Sequence, residues 1–252
     1  MNNERYKYNY PEQDKHYYNL EERQQKANKI LAVLQDYYPG GLLSLSDKKL
    51  LDIGSSTGIM TNLLSQYFYK TTGIDIDDEM VGFAESTYAG EDLHFYYQDS
   101  MNIQFDNSTF DVIICAHLYE YIPDIQKAMY EIYRVLKPGG ICYFVAGNKW
   151  IFMEPHHRLP FLSWLPKSFA NRYLKLFRNR DHYYETMQTY WQLKKLARNF
   201  EIIDYTKKII KDPVKFYSTE MIKPNSFSQT IFVAILNIAY WLCPTYVWIL
   251  KK

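Results

Sequence analysis

Short apolar segments alternate with helical stripes between residues 49 and 146. The segments have the length of buried strands, and the stripes repeat every three or four residues, as amphipathic helices do. Strands that alternate with helices form a parallel sheet covered on both faces, and right-handed crossovers make it doubly wound. The predicted fold class is therefore α/β with a doubly wound, Rossmann-like sheet. The predicted strands are 49–53, 71–76, 93–97, 110–115 and 141–146. The predicted helices are 59–68, a helix that begins at 79, and 125–136. Asp77 or Asp78 would cap the second of these helices, and the Pro138-Gly139-Gly140 turn follows the third.

The pattern changes on both sides of this region. Residues 1–18 lack a helical period and are predicted to form an arm or lid, and residues 21–38 form a helix that ends at Pro39-Gly40-Gly41. Prolines and aromatic residues break the alternation over 150–180. Beyond them, the pattern predicts a helix over 189–199 with a Thr189/Gln192 capping box, a strand over 201–210, a helix over 226–242 and a last strand over 245–251.

Composition argues against several classes of function. The chain has 29 basic and 28 acidic residues, and this balance gives no electrostatic footprint for nucleic acid. Cys115, Cys142 and Cys243 lie far apart without a Cys-x-x-Cys pair, which argues against a zinc knot or a disulfide scaffold and fits a reducing cytosol. Acidic residues and histidines at metal-ligand spacing are lacking as well, so the chemistry is expected to be metal-independent.

A glycine loop and acidic residues at strand ends indicate a nucleotide-like ligand. Gly54 and Gly58 follow the first predicted strand, where glycine lets the backbone turn tightly and a ligand approach closely. Asp75 ends the next strand, 21 residues after Gly54, at a position suited to ribose hydroxyls. Asp99 ends the third strand, where its carboxylate can accept a hydrogen bond from an exocyclic amine. One such acid alone is more often a helix cap, but acids at successive strand ends indicate a site.

Four motifs carry a family resemblance. They are Leu51-Asp52-Ile53-Gly54-Ser55-Ser56-Thr57-Gly58, Gly73-Ile74-Asp75-Ile76-Asp77, Phe110-Asp111-Val112-Ile113-Ile114-Cys115-Ala116-His117 and Arg134-Val135-Leu136-Lys137-Pro138-Gly139-Gly140. Over roughly residues 45–150 the chain thereby resembles the class I S-adenosylmethionine-dependent methyltransferases, and the last motif is particularly specific to them. The resemblance implies a mostly parallel methyltransferase sheet with an antiparallel last strand beside the fifth, and S-adenosylmethionine as the cofactor.

The resemblance also implies roles for individual residues. Asp52 and Gly54 would line the methionine moiety, and Asp75 would bind the ribose. Asp99 and the backbone of Ser100 and Met101 would frame the adenine. The loop departs from the family at Ser56, where a middle glycine is frequent, and this side chain is expected to narrow the approach to the ligand. The implied cofactor-binding residues are Asp52, Gly54, Ser55, Ser56, Gly58, Asp75, Ile76, Asp99, Ser100, Met101 and Ala116.

The chain is expected to consist of four segments. Residues 1–44 would form an N-terminal arm and helix, 45–147 the cofactor-binding core, 148–200 a cap over the substrate, and 201–252 the C-terminal strands with an apolar helix that completes the core. A dehydrogenase is disfavoured, because the loop has Gly-x-x-x-Gly in place of Gly-x-Gly-x-x-Gly and no basic residue nearby to meet a pyrophosphate. A non-catalytic binding subunit with the same fold stays open.

Three histidines are candidate catalytic bases, since a hydroxyl acceptor must lose a proton. His117 follows the fourth strand and would border the methyl-transfer pocket with Ala116, and His156 and His157 lie in the predicted cap. Each has a structural alternative: His117 as a packing residue bonded to backbone, and His156 and His157 as a surface turn beside Pro155. The Asn/Asp-Pro-Pro-Tyr signature of methyltransferases that act on planar nitrogens is missing, which disfavours DNA adenine and glutamine as acceptors.

The expected acceptor and partners depend on the apolar segments near the C-terminus. Residues 231–250 carry no charge and are long enough to span a membrane, but Pro244 divides them. The helix over 226–242 is apolar nearly all round, so it is expected to be buried, to form a homodimer or to lie at a membrane surface. Residues 155–166 look like an insertion in methyltransferases of bacterial surface-glycan pathways. The expected acceptor is therefore a glycan or a lipid-linked, amphiphilic molecule, with a quinone or small phenol second, methylated in the cytoplasm or at the inner face of the membrane.

Overall fold

A seven-stranded sheet runs through residues 19–252, the part of the chain that the computed structural model describes. The arm or lid predicted for residues 1–18 lies outside the described residues. The sheet contains β1 (Lys49–Ile53), β2 (Lys70–Asp75), β3 (Leu93–Tyr97), β4 (Phe110–Ala116), β5 (Leu136–Gly147), β8 (Glu201–Asp204) and β9 (Thr245–Lys251), while β6 (Met153–Glu154) and β7 (Leu159–Pro160) form a separate hairpin. The helices are α1 (Leu20–Tyr37), α2 (Ile59–Ser65), α3 (Asp78–Tyr88), α4 (Ile125–Val135), α5 (Lys167–Arg178), α6 (Tyr190–Leu196), α7 (Thr206–Lys211) and α8 (Phe227–Ala239).

The strand order is β3-β2-β1-β4-β5-β9-β8. The first five strands in this order, β3, β2, β1, β4 and β5, pair in parallel, and β9 runs antiparallel between β5 and β8. The order reverses between β1 and β4, and ligands of doubly wound sheets bind beyond the carboxyl ends of the strands at such a point. The doubly wound, mostly parallel sheet predicted from the sequence is confirmed, and the predicted antiparallel last strand is β9.

Side chains of the central strands fill two layers of core, one on each face of the sheet. On β4, Ile113 and Cys115 belong to the layer that α4 covers, while Val112 and Ile114 belong to the layer that α1 and α2 cover. Burial on both faces explains why these strands occur in the sequence as continuous apolar runs. The packed layers hold the strand ends, and therefore the loops that follow them, in fixed positions.

Side-chain caps determine where two helices beside the sheet begin. Asp77 accepts a hydrogen bond from the Met80 amide at 3.2 Å and caps α3, which decides between the two caps that the sequence allows. Thr189 and Gln192 form the predicted capping box at the start of α6. Each cap satisfies amide groups that the first turn of a helix leaves without a helical partner. The start of α3 is thereby fixed three residues after the end of β2.

The strand predicted over 201–210 is wrong beyond Asp204, because the following residues form α7. Asp204 Oδ1 accepts the Thr206 amide at 2.9 Å and turns the chain into a helix. The Tyr205 amide donates instead to the Val247 carbonyl at 2.9 Å, which is the last backbone contact of this segment with β9. The chain therefore changes from strand to helix directly after Asp204.

The Pro138-Gly139-Gly140 segment follows the end of α4 as predicted, but it lies within β5 as an irregularity in the pairing with β4. Gly139 is left-handed, with φ at +76°. A Cβ at Gly140 would lie 2.9 Å from the Lys137 carbonyl oxygen and 3.0 Å from that of Asp111, closer than real Cβ atoms approach. Two glycines are therefore needed for the chain to pass from helix to strand without a loop.

The region predicted as a cap has a small core of its own and starts and ends at one point of the sheet. Asn148 and Gln188 pair as neighbours, and the Lys149 amide donates to the Gln188 carbonyl at 2.9 Å. The Asn148 side chain also donates to the Cys243 carbonyl at 2.8 Å. These contacts anchor the cap beyond the carboxyl end of β5. The cap core consists of Leu159, Leu162, Ala170, Leu174 and Tyr183.

The helix α8 contributes less to the core than its apolar sequence suggests. Leu236 is buried and Phe232 packs partly on the sheet, whereas several other apolar side chains of α8 are exposed. Among residues 19–252, no helix is both long enough and apolar enough to cross a bilayer.

Candidate active site

The loop from β1 to α2 turns on two glycines. Gly54 (φ +81°) and Gly58 (φ +75°) adopt left-handed conformations, which favour glycine. A Cβ at Gly58 would lie 2.7 Å from the Ala84 Cβ, so the loop packs directly on α3. Ser56, which stands where the family often has glycine, is also left-handed (φ 49°), so the loop keeps its turn despite this side chain. The backbone therefore makes a fixed, close turn at the carboxyl end of β1.

Asp75 ends β2 and connects this loop to the next strand end. Its Oδ2 accepts the Ser56 amide at 2.8 Å, and its Oδ1 accepts the Asp77 amide at 3.0 Å. Desolvation raises the pKa of Asp75, and these two amides oppose that shift. Each carboxylate oxygen can accept a second hydrogen bond. The structure therefore fixes the Asp75 carboxylate at the position where the sequence predicts ribose binding. Ile76, the other residue predicted there, follows it directly.

Asp52 is buried under the loop with one oxygen unsatisfied. Thr61 Oγ1 donates to its Oδ2 at 2.6 Å, whereas Oδ1 has no hydrogen-bond partner within residues 19–252. Burial raises the pKa of Asp52 to about 6, and the Thr61 hydrogen bond partly opposes this effect. The hydroxyls of Ser55 and Ser56 are likewise buried without a partner in the described chain. Unsatisfied buried polar atoms cost free energy, so this group fits a ligand that carries ammonium and hydroxyl donors, as S-adenosylmethionine does.

Asp99 lies two residues beyond the end of β3. Its Oδ1 accepts the Met101 amide at 2.7 Å, and Ser100 between them is buried. Asp75 pairs with Tyr97 in the sheet, so the ends of β2 and β3 are adjacent, as are those of β1 and β2. The structure therefore brings the acidic residues that follow β1, β2 and β3 to one edge of the sheet.

β4 ends at Ala116, and His117 follows it in a strained turn. His117 has φ at 53°, a left-handed conformation that costs a non-glycine residue about 1–3 kcal/mol. Its amide donates to the Val145 carbonyl at 3.0 Å. Desolvation by the surrounding chain lowers the pKa of His117, although its side chain keeps contact with solvent. A Cβ at Gly54 would lie 3.0 Å from Leu118 Cδ1, so the end of β4 faces the glycine loop across the crevice.

His156 lies between β6 and β7 and contacts the segment that follows β4. Its Nδ1 is 2.8 Å from the Tyr121 hydroxyl, and its Nε2 is 3.7 Å from Glu120 Oε1, an ion-pair distance. Desolvation lowers the pKa of His156, but Glu120 and two further buried carboxylates outweigh it, so the pKa lies above its ordinary value. Glu120 acts electrostatically on His117 as well. The structure therefore pairs one of the three predicted histidines, His156, with a buried carboxylate.

His157 lies in a different environment from its neighbour. The ring is buried, and its Nε2 is 3.3 Å from Glu185 Oε2. Its amide donates to Glu154 Oε2 at 2.6 Å, and its carbonyl accepts Arg178 Nε at 2.8 Å. These contacts connect β6, α5 and the segment before α6, so they hold the cap together.

The sequence alone does not single out Glu120, which is buried with its Oε2 lacking a partner in the described part of the chain. An acid between two tyrosines directly after an apolar strand is the signal that could have found it. Glu154 and Glu185 give no such signal, because only the fold of the cap brings them together. Arg23 on α1 lowers the pKa of Asp52 and so lies near it, although the sequence marks α1 only by its apolar face. Within residues 19–252, no three histidine, cysteine or acidic side chains are placed to hold a metal ion.

Comparison with known proteins agrees with this geometry. Residues 51–144, which run from β1 into β5, match a family described as a methyltransferase domain. A crystal structure of an S-adenosylmethionine-dependent methyltransferase from Mesorhizobium loti has the same fold, with a TM-score of 0.55 over 87% of this chain and 96% of that chain at 12% identity. The chain carries a class I S-adenosylmethionine-dependent methyltransferase domain. This result confirms the family, and with it the cofactor, that the four motifs indicate.

Two curated relatives of the methyltransferase domain have more specific names. A ubiquinone biosynthesis O-methyltransferase of Coxiella burnetii is 28% identical over 109 residues, 42% of this chain and 47% of that protein. A ubiquinone/menaquinone biosynthesis C-methyltransferase, UbiE, of Desulfotalea psychrophila is 29% identical over 96 residues, 37% of this chain and 39% of that protein. The chain thus spans less than half the length of the curated relatives it matches.

Proposed function

We propose that the methyltransferase domain and the cap together transfer a methyl group from S-adenosylmethionine to a hydroxyl group of an amphiphilic acceptor, a glycan or a lipid-linked molecule. The observation that carries this proposal is the pair of His156 and Glu120, 3.7 Å apart beside the end of β4. A hydroxyl group is a poor nucleophile until a base takes its proton, whereas an amine or a carboxylate needs less help. A histidine base at this edge of the sheet therefore supports oxygen as the methylated atom.

The residues around the glycine loop fit the cofactor, which supplies an electrophilic methyl group on its sulfonium when bound. Asp52, with its unsatisfied Oδ1, would accept hydrogen bonds from the ammonium group, and Asp75 would accept them from the ribose hydroxyls. Asp99 and the backbone after it would border the adenine. Arg23 places positive charge near Asp52, where it suits the carboxylate of the cofactor. Alignment of the two reactants in such a site is worth about 7–11 kcal/mol.

Glu120 determines how His156 would act as a base. A carboxylate that faces Nε2 favours a proton on that nitrogen, which leaves Nδ1 as the basic nitrogen. The Tyr121 hydroxyl lies 2.8 Å from Nδ1 and 3.2 Å from Nε2, so it must turn away from Nδ1, or relay the proton, when this nitrogen acts as the base. His117 is the second candidate base, because it directly follows the end of β4. Desolvation lowers its pKa, which favours the neutral, basic form of the ring.

Further side chains of the cap and of the segment after β4 support an acceptor with polar and apolar parts. In the described chain, Glu120 Oε2 and Glu154 Oε1 are buried carboxylate oxygens without a partner, and such oxygens accept hydrogen bonds from hydroxyl groups. The exposed rings of Phe152 and Phe161 lie 4.8 Å apart, and that of Trp164 lies 4.9 Å from Phe161. Aromatic rings of this kind pack on the apolar parts of a ligand. A hydroxyl-rich amphiphile would use both sets of contacts.

A quinone or a small phenol is the second candidate acceptor, and the names of the two curated relatives favour it. A phenol presents a hydroxyl group to the same base, and its ring would pack on the same aromatic side chains. It would leave more of the buried carboxylate oxygens without a donor than a glycan does. The two candidates therefore differ in how many hydroxyl groups the acceptor offers.

Transfer of a labelled methyl group tests the proposal. The purified chain is incubated with methyl-labelled S-adenosylmethionine and, in separate reactions, with glycan, lipid and phenol fractions of the source cells. Label in a glycan or lipid-linked product that is lost in His156→Ala supports the proposal, provided that His182→Ala, a change at an exposed histidine elsewhere in the cap, keeps it. Label in the phenol fraction alone would identify a quinone or small phenol as the acceptor. Calorimetric binding of S-adenosylmethionine with no label in any fraction would identify a non-catalytic subunit.

A further inference from the structure

The outer face of α8 and of the turn that follows it is apolar, which reverses the usual pattern of a surface helix. Its exposed side chains repeat at helical spacing along one face, whereas a helix on the surface of a domain normally presents polar residues to solvent. No charged residue occurs between Ser226 and Leu250. The members of this stripe and their exposed fractions are Phe227 (81%), Ile231 (44%), Ile235 (45%), Ile238 (88%) and Leu242 (39%).

The inner face of α8 is fixed to the protein, so the stripe is held outward. Leu236 is buried in the core, and Phe232 packs beside it. The Gln229 side chain donates to the Ile210 carbonyl at 2.8 Å, which ties the start of α8 to the end of α7. Ser226 caps the first turn through the Gln229 amide at 3.1 Å. The exposure of the stripe is therefore a property of a well-anchored helix.

Basic and aromatic side chains flank α8. Lys207 and Lys211 of α7 line a groove beside α8 together with Val233 and Asn237. On α6, Lys194 and Lys195 follow Trp191, whose ring lies 5.4 Å from that of Trp241. An apolar helix face with lysines on its flank and tryptophans at its end fits an anionic bilayer, where rings lie at the headgroups and ammonium groups reach the phosphates.

We propose that the α8 stripe lies in the surface of an anionic lipid bilayer, parallel to the membrane plane. Within α8 the stripe runs from Phe227 to Ile238 over about 17 Å, the length of 11 residue steps of helix, and Leu242 extends it in the following turn. It offers an apolar contact of the kind that interfacial helices insert between headgroups. A second copy of the chain is the competing occupant. A two-fold contact through this stripe would bring the same lysines from both copies together, which like charges oppose. This inference does not depend on the acceptor, because membrane binding is measured without the reaction.

Vesicle flotation with the full chain tests the inference. The protein is mixed with vesicles of equal parts phosphatidylglycerol and phosphatidylcholine, and separately with vesicles of phosphatidylcholine alone. We expect binding to the anionic vesicles that weakens with added salt, because ions screen the lysines. Ile238→Ser should lower the partition coefficient about tenfold or more, whereas Leu43→Ser, at a residue of equal exposure far from α8 in the chain (87% against 88%), should not. Lys207→Gln with Lys211→Gln should reduce binding to the anionic vesicles, unlike Lys70→Gln with Lys127→Gln.

Thermal melts of all variants show whether they fold, and analytical ultracentrifugation without lipid reports the oligomeric state. Unchanged melting temperatures with loss of flotation in Ile238→Ser support the inference. Failure of the folded wild type to float with anionic vesicles overturns it. A stable dimer that ignores vesicles and dissociates on Ile238→Ser overturns it in favour of a second copy.

Discussion

Replacement of Asp52 by asparagine should make the protein more stable and bind its cofactor less well. The folded-state pKa of Asp52 is about 6 against an ordinary value of 3.8, because burial penalises the charged carboxylate. Between these two pH values the folded protein holds a proton that the unfolded chain has lost, so the stability falls as the pH rises through this window. Each pKa unit corresponds to about 1.4 kcal/mol, which makes the full cost at pH 7 about 3 kcal/mol. Asp52→Asn removes the ionisation, keeps an oxygen to accept the Thr61 hydrogen bond, and should recover most of this free energy.

Denaturant unfolding of both proteins between pH 4 and pH 8 measures the effect. The stability of wild type relative to Asp52→Asn should decline as the pH rises from about 4 to about 6 and stay level above. Asp47→Asn serves as the matched control, because this acidic side chain is 81% exposed. Calorimetric titration at pH 7.5 should show cofactor binding weakened by about 1.5–3 kcal/mol, the loss of a charge-assisted hydrogen bond. Equal pH profiles for Asp52→Asn and wild type would refute the reasoning from burial, and unchanged cofactor affinity would remove Asp52 from the site.

Four further changes test other parts of the site. Asp75→Ala should weaken binding of S-adenosylmethionine by about 1–3 kcal/mol in a calorimetric titration, and an unchanged dissociation constant would contradict the ribose assignment. His156→Ala should lower turnover on the order of 10²–10⁴-fold at retained cofactor affinity. Full activity of this variant would mean that His117 is the base, or that alignment of the reactants is enough for the reaction. Glu120→Gln removes a carboxylate that raises the pKa of His156, so the acidic limb of the profile of kcat against pH should move to lower pH. An unchanged profile would show that His156 is not the base. Gly58→Ala should destabilise the fold by about 2–4 kcal/mol in a thermal melt, since its Cβ would meet α3 at 2.7 Å; a normal melt would show that the loop can shift.

The sequence predicts the sheet well for a physical reason. Strands such as Lys49–Ile53 and Leu93–Tyr97 are apolar runs bounded by turn residues, and their predicted limits agree with the structure. The limits fail where side chains decide locally, as after Asp204, whose carboxylate accepts the Thr206 amide where the chain turns from strand to helix. A short apolar run reports burial, but it does not report which backbone form the buried residues take.

The sequence predicts those residues of the candidate site that lie at strand ends. It does not predict the contacts that depend on how the cap folds. Asp52, Asp75 and Asp99 each lie at or just beyond the carboxyl end of a recognisable strand, so the sheet order alone brings them together. Glu120 and His156 are far apart in the chain, and their contact depends on how the hairpin of β6 and β7 folds back. No periodic pattern records such a contact, because it arises from tertiary packing of an irregular segment.

The closed path of the cap has a consequence for how such an enzyme changes over evolution. The chain leaves the sheet at Asn148 and returns to the same point at Gln188, where the two residues pair. A segment whose ends already meet can be lengthened, shortened or exchanged at little entropic cost to the rest of the protein. Grafting residues 149–187 of a relative onto this sheet should therefore transfer acceptor preference while the glycine loop and its acidic neighbours keep their cofactor. Recombination at these two positions offers a route by which one catalytic scaffold acquires new substrates.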